Sequence, residues 1–106
     1  MPDVVVTMEY VLVELLDSLA SPALRFAAAS TVRVLHDRPV TKIVPASTAL
    51  LDEGMALYTT HRDKSWSLTD CISFVVMRRQ GITDALTADH DFEQAGFRAL
   101  LRSDPG

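Results

Sequence analysis

Two aspartates in the second half of the chain are candidates for a site that binds a divalent cation. Asp70 follows Ser67 in a serine–x–x–acid pattern that opens a helix, and Asp89 comes two residues after the apolar strand Ala85–Thr87. Sites in parallel sheets form beyond the carboxyl ends of the strands, where strand-to-helix connections cluster. Carboxylates and water are the ligands that Mg²⁺ and Mn²⁺ prefer. The two aspartates therefore predict a hard-cation site at one edge of a sheet.

The residue pattern taken alone favours structural roles for the same acids. Asp70 fits a capping-box acid that interacts with the helix dipole, and Asp89 fits a turn residue. Glu14 points more than about 100° away from the apolar stripe of its helix, as a solvated glutamate does. Asp63 has the setting of a loop acid. The pattern thus leaves both interpretations open.

Other reaction chemistries find little support in the sequence. His36, His61 and His90 share no helical face, so no zinc site is predicted. Cys71 lies inside a predicted helix and has the setting of a small core residue rather than a nucleophile. Zinc-finger spacing, a Walker loop, a GxGxxG turn and a GxSxG elbow are all absent from the sequence, which has only four glycines. Most nucleotide-binding enzyme classes are therefore disfavoured.

Alternating strands and helices predict an α/β fold with a parallel sheet. Helices are expected after the caps Thr7, Ser21, Ser47 and Ser67, with a short helical turn at 92–95. The expected strands are Val4–Val6, Lys42–Val44, Ala85–Thr87 and Arg98–Leu101. We expect one domain over residues 1–102 and a frayed tail over residues 103–106.

Composition indicates a soluble globular protein. Of 106 residues, 48% are hydrophobic and 23% charged, which excludes intrinsic disorder. No apolar run approaches the roughly 18–20 residues of a membrane helix, and Asp3 and Glu9 stand where a secretory signal carries basic residues. A single cysteine favours a reducing, cytoplasmic setting. The net charge of −4 argues against nucleic-acid binding through the whole surface, although not against an enzyme that meets phosphate through a cation.

Two segments and their spacing resemble the later half of PIN-domain proteins, notably VapC-type toxin ribonucleases. They are residues 63–74, DKSWSLTDCISF, and residues 85–97, ALTADHDFEQAGF. Upstream, residues 10–14 are similar to the family's second acidic segment, and the resemblance runs over nearly all of the chain. It implies a PIN-like parallel sheet flanked by helices, and hydrolysis of RNA phosphodiesters with Mg²⁺ or Mn²⁺.

The resemblance also assigns roles to particular residues. It implies that Glu14, Asp70 and Asp89 are the catalytic, metal-binding acids. Asp63 matches a supporting acid, whereas Ser67 and Thr87 match small polar residues that hold the acids by hydrogen bonds. Crowded carboxylates raise each other's pKa until a divalent cation neutralises them, and the cation activates water.

The sequence departs from the family pattern in two places. Asp91 stands where the family usually has a histidine beside phenylalanine. The family's first strand, which ends in an aspartate, has no counterpart, and Asp3 precedes its strand rather than following it. We therefore expect a PIN domain that lacks its N-terminal first strand. We also expect Val4–Val6 and Ala85–Thr87 to pair directly within a homodimer, because exposed sheet edges invite association.

Two functional hypotheses follow from the sequence. The first is a toxin-type endoribonuclease with an RNA substrate and an antitoxin partner. The second is a catalytically impaired PIN remnant that acts only as a protein-binding or self-associating module. The retained acids favour the first hypothesis, and the missing aspartate favours the second.

Overall fold

The computed structural model describes residues 4–101 in two compact units that meet at the Ser47–Thr48 bond. We call them the N-terminal unit and the C-terminal unit and describe each by itself. Asp3 and the tail over residues 103–106, for which fraying is predicted, lie outside the described residues. No helix within the described range is long and apolar enough to span a bilayer.

The N-terminal unit is a β-α-α-β arrangement. It contains β1 (Val5–Met8), α1 (Glu9–Ser18), α2 (Pro22–Asp37) and β2 (Thr41–Val44). The two strands are parallel, with Val5 opposite Thr41 and Met8 opposite Val44. Proline in the first turn of α2 confirms the predicted helix start after Ser21.

The predicted cap at Thr7 is wrong. Thr7 lies inside β1, opposite Ile43, and α1 begins only after Met8, which makes no side-chain capping bond. Pairing with β2 has overridden the capping preference of threonine. Side chains of α1 instead bind the segment that leaves β2: Glu9 Oε1 accepts from the Ala46 N–H (2.6 Å), and the Tyr10 hydroxyl donates to the Ser47 carbonyl (2.9 Å).

The C-terminal unit contains three helices and two short strands. They are α3 (Thr48–Thr60), α4 (Leu68–Gln80), β3 (Asp84–Ala85), α5 (His90–Gln94) and β4 (Arg98–Ala99). The predicted limits of α4 are confirmed, because Ser67 caps its start and Gly81 ends it in the left-handed region at φ +67°.

The strand pairings confirm the α/β class, but they differ from the expected number of sheets and from the expected pairing of strands. Both pairs are parallel, but residues 4–101 form two two-stranded sheets, β1 with β2 and β3 with β4. The expected direct pairing of Val4–Val6 with Ala85–Thr87 is therefore wrong for the described strands. Ala85 pairs instead with Ala99, and the ladder stops there because β3 has only two residues.

An aromatic cluster forms the core of the C-terminal unit. Phe74 of α4 has no exposed surface, and its ring meets those of Trp66 and Phe92 edge-on at centroid distances of 5.0 and 4.9 Å. Such edge-to-face pairs add about 0.5–1.5 kcal/mol each beyond the area they bury. The contact with Phe92 fixes α5 against α4, and these two helices carry the aspartates of the candidate site.

Candidate active site

Asp70 lies in the first turn of α4 and closes a capping box with Ser67. The Asp70 N–H donates to Ser67 Oγ (3.0 Å), while Asp70 Oδ2 accepts from the Ser67 N–H (3.2 Å). Both bonds satisfy amide donors that a helix start would otherwise leave without partners. They also fix the orientation of the carboxylate, whose Oδ2 accepts the hydrogen bond from the Ser67 N–H.

Asp89 caps α5, and the strand end before it holds its backbone. Asp89 Oδ1 accepts from the Asp91 N–H (2.9 Å), and the Asp89 N–H donates to Thr87 Oγ1 (3.1 Å). Thr87 thus positions the backbone of Asp89 rather than its carboxylate. The loop places Asp89 just beyond the carboxyl end of β3, the location predicted from the sequence.

Asp89, His90 and Asp91 bring three possible ligand atoms within 4.8 Å of one another. His90 Nδ1 is 3.8 Å from Asp89 Oδ1, and His90 Nε2 is 3.7 Å from Asp91 Oδ1. Asp91 is buried with 9% of its surface exposed, whereas Asp89 and His90 are exposed. One buried and one exposed carboxylate therefore flank an imidazole at the start of α5.

The electrostatics connect Asp70 to this group. Burial raises the pKa of the Asp70 carboxyl, the hydrogen bonds from Ser67 lower it, and the charges of Asp89 and Asp91 raise it further, with a net upward shift. Burial and like charge both penalise the ionised form. The structure therefore places the charges of Asp89 and Asp91 close enough to Asp70 to disfavour its ionisation.

The remaining predicted site residues lie elsewhere. Glu14 is exposed on α1 in the N-terminal unit, as its helical face predicts, and its membership of the site stays a prediction. Asp63 is exposed in the turn after α3 and pairs with Lys64, with 3.4 Å between Oδ2 and Nζ.

Sequence reasoning missed Asp91 and His90 as members of the candidate site. From the sequence, Asp91 is only a departure from the family pattern, and His90 is only one of three scattered histidines. The signal was present in the aspartate–x–aspartate spacing at a helix start. The side chain of a capping aspartate accepts from the N–H of the residue two positions later, so its carboxylate lies close to an acid at that position.

The donor set fits a hard divalent cation. Two carboxylates and one imidazole supply the possible ligand atoms of the group, and none of them is a thiolate. Asp70 Oδ1 and Asp89 Oδ2 lie outside the capping bonds and remain for a ligand.

Comparison with known proteins identifies the family of the chain. The PIN domain family model matches residues 1–98. The 23S rRNA-specific endonuclease VapC20 of Mycobacterium tuberculosis, in strains CDC 1551 / Oshkosh and H37Rv, is 30% identical over 96 residues, covering 91% of this chain and 72% of that protein. The crystal structure of VapC20 from that species, a sarcin–ricin loop cleaving toxin, matches with a TM-score of 0.81 and 30% identity, covering 92% of this chain and 74% of that one.

These matches confirm the resemblance and the PIN-like α/β fold predicted from residues 63–74 and 85–97. The family model reaches across both units of the chain, from β1 to the start of β4. The chain therefore belongs to the PIN domain family and is similar to its VapC-type toxins.

Proposed function

We propose that this chain is a Mg²⁺- or Mn²⁺-dependent endoribonuclease of the toxin–antitoxin type that hydrolyses RNA phosphodiesters. The observation that carries the proposal is the gathering of Asp70, Asp89 and Asp91 around two helix starts, where burial and mutual repulsion raise the pKa of Asp70. The likeness to an rRNA-specific endonuclease supports RNA as the substrate class.

In this proposal Asp70, Asp89 and Asp91 hold the cation, and the family resemblance adds Glu14 as a further ligand. When bound, Mg²⁺ or Mn²⁺ lowers the pKa of coordinated water and stabilises negative charge on the phosphate. Ser67 holds Asp70 through its amide, and Thr87 holds the Asp89 backbone. Asp63 has a supporting role only, because its carboxylate faces Lys64 in an exposed turn.

We also propose a protein antitoxin and a second copy of the chain as partners. Several large apolar side chains of α1 and α2 are exposed, with Phe26 80%, Val13 56% and Val34 56% accessible. Exposed apolar surface of this kind supports protein association. We expect light scattering to give about 23 kDa, twice the 11.7 kDa of one chain. A mass near 11.7 kDa at micromolar concentration would contradict the homodimer.

The cytoplasm is the proposed location. Cys71 is a free thiol buried in the core of the C-terminal unit, and a reducing compartment keeps such a thiol unmodified. Toxin action on RNA belongs to the same compartment.

Cleavage of RNA in Mn²⁺ tests the proposed activity. We expect the wild-type chain to cut RNA in Mn²⁺ and not in EDTA, and Asp70→Asn to lower the rate at least about 100-fold, as loss of a metal-ligating charge does. Asp52→Asn on the exposed face of α3 is the matched control, because it removes one carboxylate charge from the same unit away from the site. Equal rates for Asp70→Asn and Asp52→Asn would contradict the proposal. A wild-type chain without activity on RNA would favour the binding-module alternative.

A further inference from the structure

A cleft between the end of α3 and the start of α4 is lined by basic and aromatic side chains. Its volume is about 450 Å³, within the range of about 300–1,000 Å³ typical of ligand sites. His61, Arg62 and Lys64 supply its basic groups, and Tyr58 and Trp66 its large aromatic rings. Among the described residues, no carboxylate lines the cleft itself, and Asp63 pairs with Lys64 at its edge, on a chain with a net charge of −4. The cleft is therefore locally basic on an acidic protein.

Trp66, one of the residues that line the cleft, is held by contacts on several sides. Trp66 is only 6% exposed, and its Nε1–H donates to Gln94 Oε1 at 3.1 Å. One side of its ring meets Phe74, and the His61 ring lies tilted against it at a centroid distance of 5.1 Å. His61 Nδ1 donates to the Leu57 carbonyl (3.1 Å), because a carbonyl only accepts. This bond fixes the His61 ring and leaves Nε2 as the acceptor of the neutral ring.

The mouth of the cleft offers groups that suit a nucleotide. Tyr58 is 51% exposed, so its ring is available for stacking against a base. Arg62 is exposed, and Lys64 is partly exposed and pairs with the surface acid Asp63. A solvent-exposed pair of this kind contributes about 0–1 kcal/mol, so a phosphate can displace Asp63 at little cost.

The cleft and the acidic group share the same elements. Trp66 directly precedes Ser67, which holds Asp70, and the partner of Trp66 is Gln94 at the end of α5. Asp89 caps the other end of that five-residue helix. At 1.5 Å per residue, that helix separates the Asp89 and Gln94 backbones by only about 7.5 Å along its axis.

We infer that this basic aromatic cleft binds a nucleotide of single-stranded RNA beside the phosphate that is cut. Arg62 and Lys64 contact the backbone phosphates, while Tyr58 and the ring of His61 contact a base. This inference rests on the proposed function, since it names how the same site holds its RNA. Arg62, Lys64 and Tyr58 are positioning residues, because they act on the strand beside the reacting phosphate.

Binding of uncleaved RNA tests the inference directly. The full chain is titrated, in EDTA, into a fluorescent single-stranded RNA of 12 nucleotides, and anisotropy gives the dissociation constant at several salt concentrations. The variant Arg62→Ala/Lys64→Ala should bind about ten-fold more weakly, and its salt slope should fall by about 1.4, or 0.7 per lost phosphate contact. The control Arg33→Ala/Lys42→Ala removes the same charges from exposed positions outside the cleft and should bind as the wild type does. Equal weakening by both pairs, or none by the cleft pair, would overturn the inference.

Two further readouts protect the test against a variant that misfolds. Tyr58→Leu should weaken binding at least about five-fold, whereas Tyr58→Phe, which keeps the ring, should bind as the wild type does. Ultraviolet crosslinking of the unaltered chain to RNA containing 4-thiouridine should label peptides that contain Tyr58 or His61. Crosslinks confined to residues outside the cleft would overturn the inference.

The outcome separates this inference from the proposed activity. A chain that binds RNA through the cleft but cuts none in Mn²⁺ would overturn the proposed function alone. If the wild type cuts RNA and Arg62→Ala/Lys64→Ala cuts it with the same KM, the inference about the cleft would be overturned while the proposed activity stands.

Discussion

The surroundings of Asp70 act in opposite directions on the pKa of its carboxyl. As the acid of a capping box it stabilises the start of α4, and the Ser67 amide favours its ionised form. Burial and the charges of Asp89 and Asp91 disfavour that form more strongly, so the net pKa shift is upward. An ionised Asp70 therefore costs the folded state free energy in the absence of a cation.

This opposition predicts the pH dependence of stability. The pKa of Asp70 in the folded state lies above its unfolded value of 3.8, so the protonated carboxyl favours folding. This contribution to the free energy of unfolding is fully present below pH 3.8 and is lost as the pH rises through the folded pKa. Asp70→Asn keeps an acceptor for the Ser67 amide and removes the charge. In EDTA at pH 7, we expect it to melt at a temperature no lower than the wild type, with the difference shrinking as pH falls toward 4. Thermal melts followed by circular dichroism measure this.

A pH-independent loss of melting temperature in Asp70→Asn would contradict this account of its charge. Asp52→Asn, on the exposed face of α3, is the control for removal of one surface charge. Its melting temperature should change little with pH relative to the wild type.

At residue level the sequence predicted some members of the candidate site and missed others. Ser67 and Asp70 were recognisable because a capping box is local in sequence. The sequence does not show that Asp91 lies near Asp70, because their proximity depends on the packing of α5 against α4 through Phe92 and Phe74. Periodicity places Glu14 on a solvent face, and it is exposed. Its role depends on tertiary arrangement, which periodicity does not encode.

The helices were more predictable than the strands. Capping residues and apolar spacing located α2 and α4 closely, since both signals lie within each segment. Strand limits depend on partners distant in sequence: β1 extends to Met8 because Val44 pairs with it, and β3 ends at Ala85 where its ladder with β4 ends. Alternating elements predict one sheet, whereas the described strands form two, because local patterns do not show which strands pair.

The packing of α3 on α4 depends on a glycine. A Cβ atom added at Gly54 would lie 2.3 Å from Ile72 Cγ1 and 3.4 Å from the Ile72 Cα. Ile72 is 1% exposed, so it is packed on all sides in the core. The absence of a side chain at Gly54 therefore permits the close approach of the two helices.

We expect Gly54→Ala to destabilise the protein by about 1–3 kcal/mol, the usual cost of overpacking a core. Alanine is the better helix former by about 1 kcal/mol, so any loss measured is net of that gain. Urea denaturation measures the free energy of unfolding, and Asp52→Ala on the exposed side of α3 should change it by no more than about 0.5 kcal/mol. A Gly54→Ala variant as stable as the wild type would show that α3 and α4 do not pack this closely.

At the scale of the whole molecule, charge is distributed unevenly rather than spread over the surface. The chain has a net charge of −4, yet its C-terminal unit carries both the carboxylates at the starts of α4 and α5 and the basic cleft before α4. The net charge of −4 argues against binding of nucleic acid through the whole surface, and this stays a prediction. Net charge does not describe local features such as the basic cleft and the acidic cluster, which depend on how the C-terminal unit folds.

Calorimetric titration of the wild-type chain with Mn²⁺ tests most directly whether the acids form one cation site, because it requires no knowledge of the RNA target. With few carboxylates in the site, we expect one weak event with a dissociation constant above about 1 μM. Asp70→Asn should weaken it at least about ten-fold, Glu14→Gln/Asp70→Asn should abolish it, and Asp52→Asn should leave it unchanged. Absence of binding, or equal affinity in the wild type and Asp70→Asn, would contradict the account.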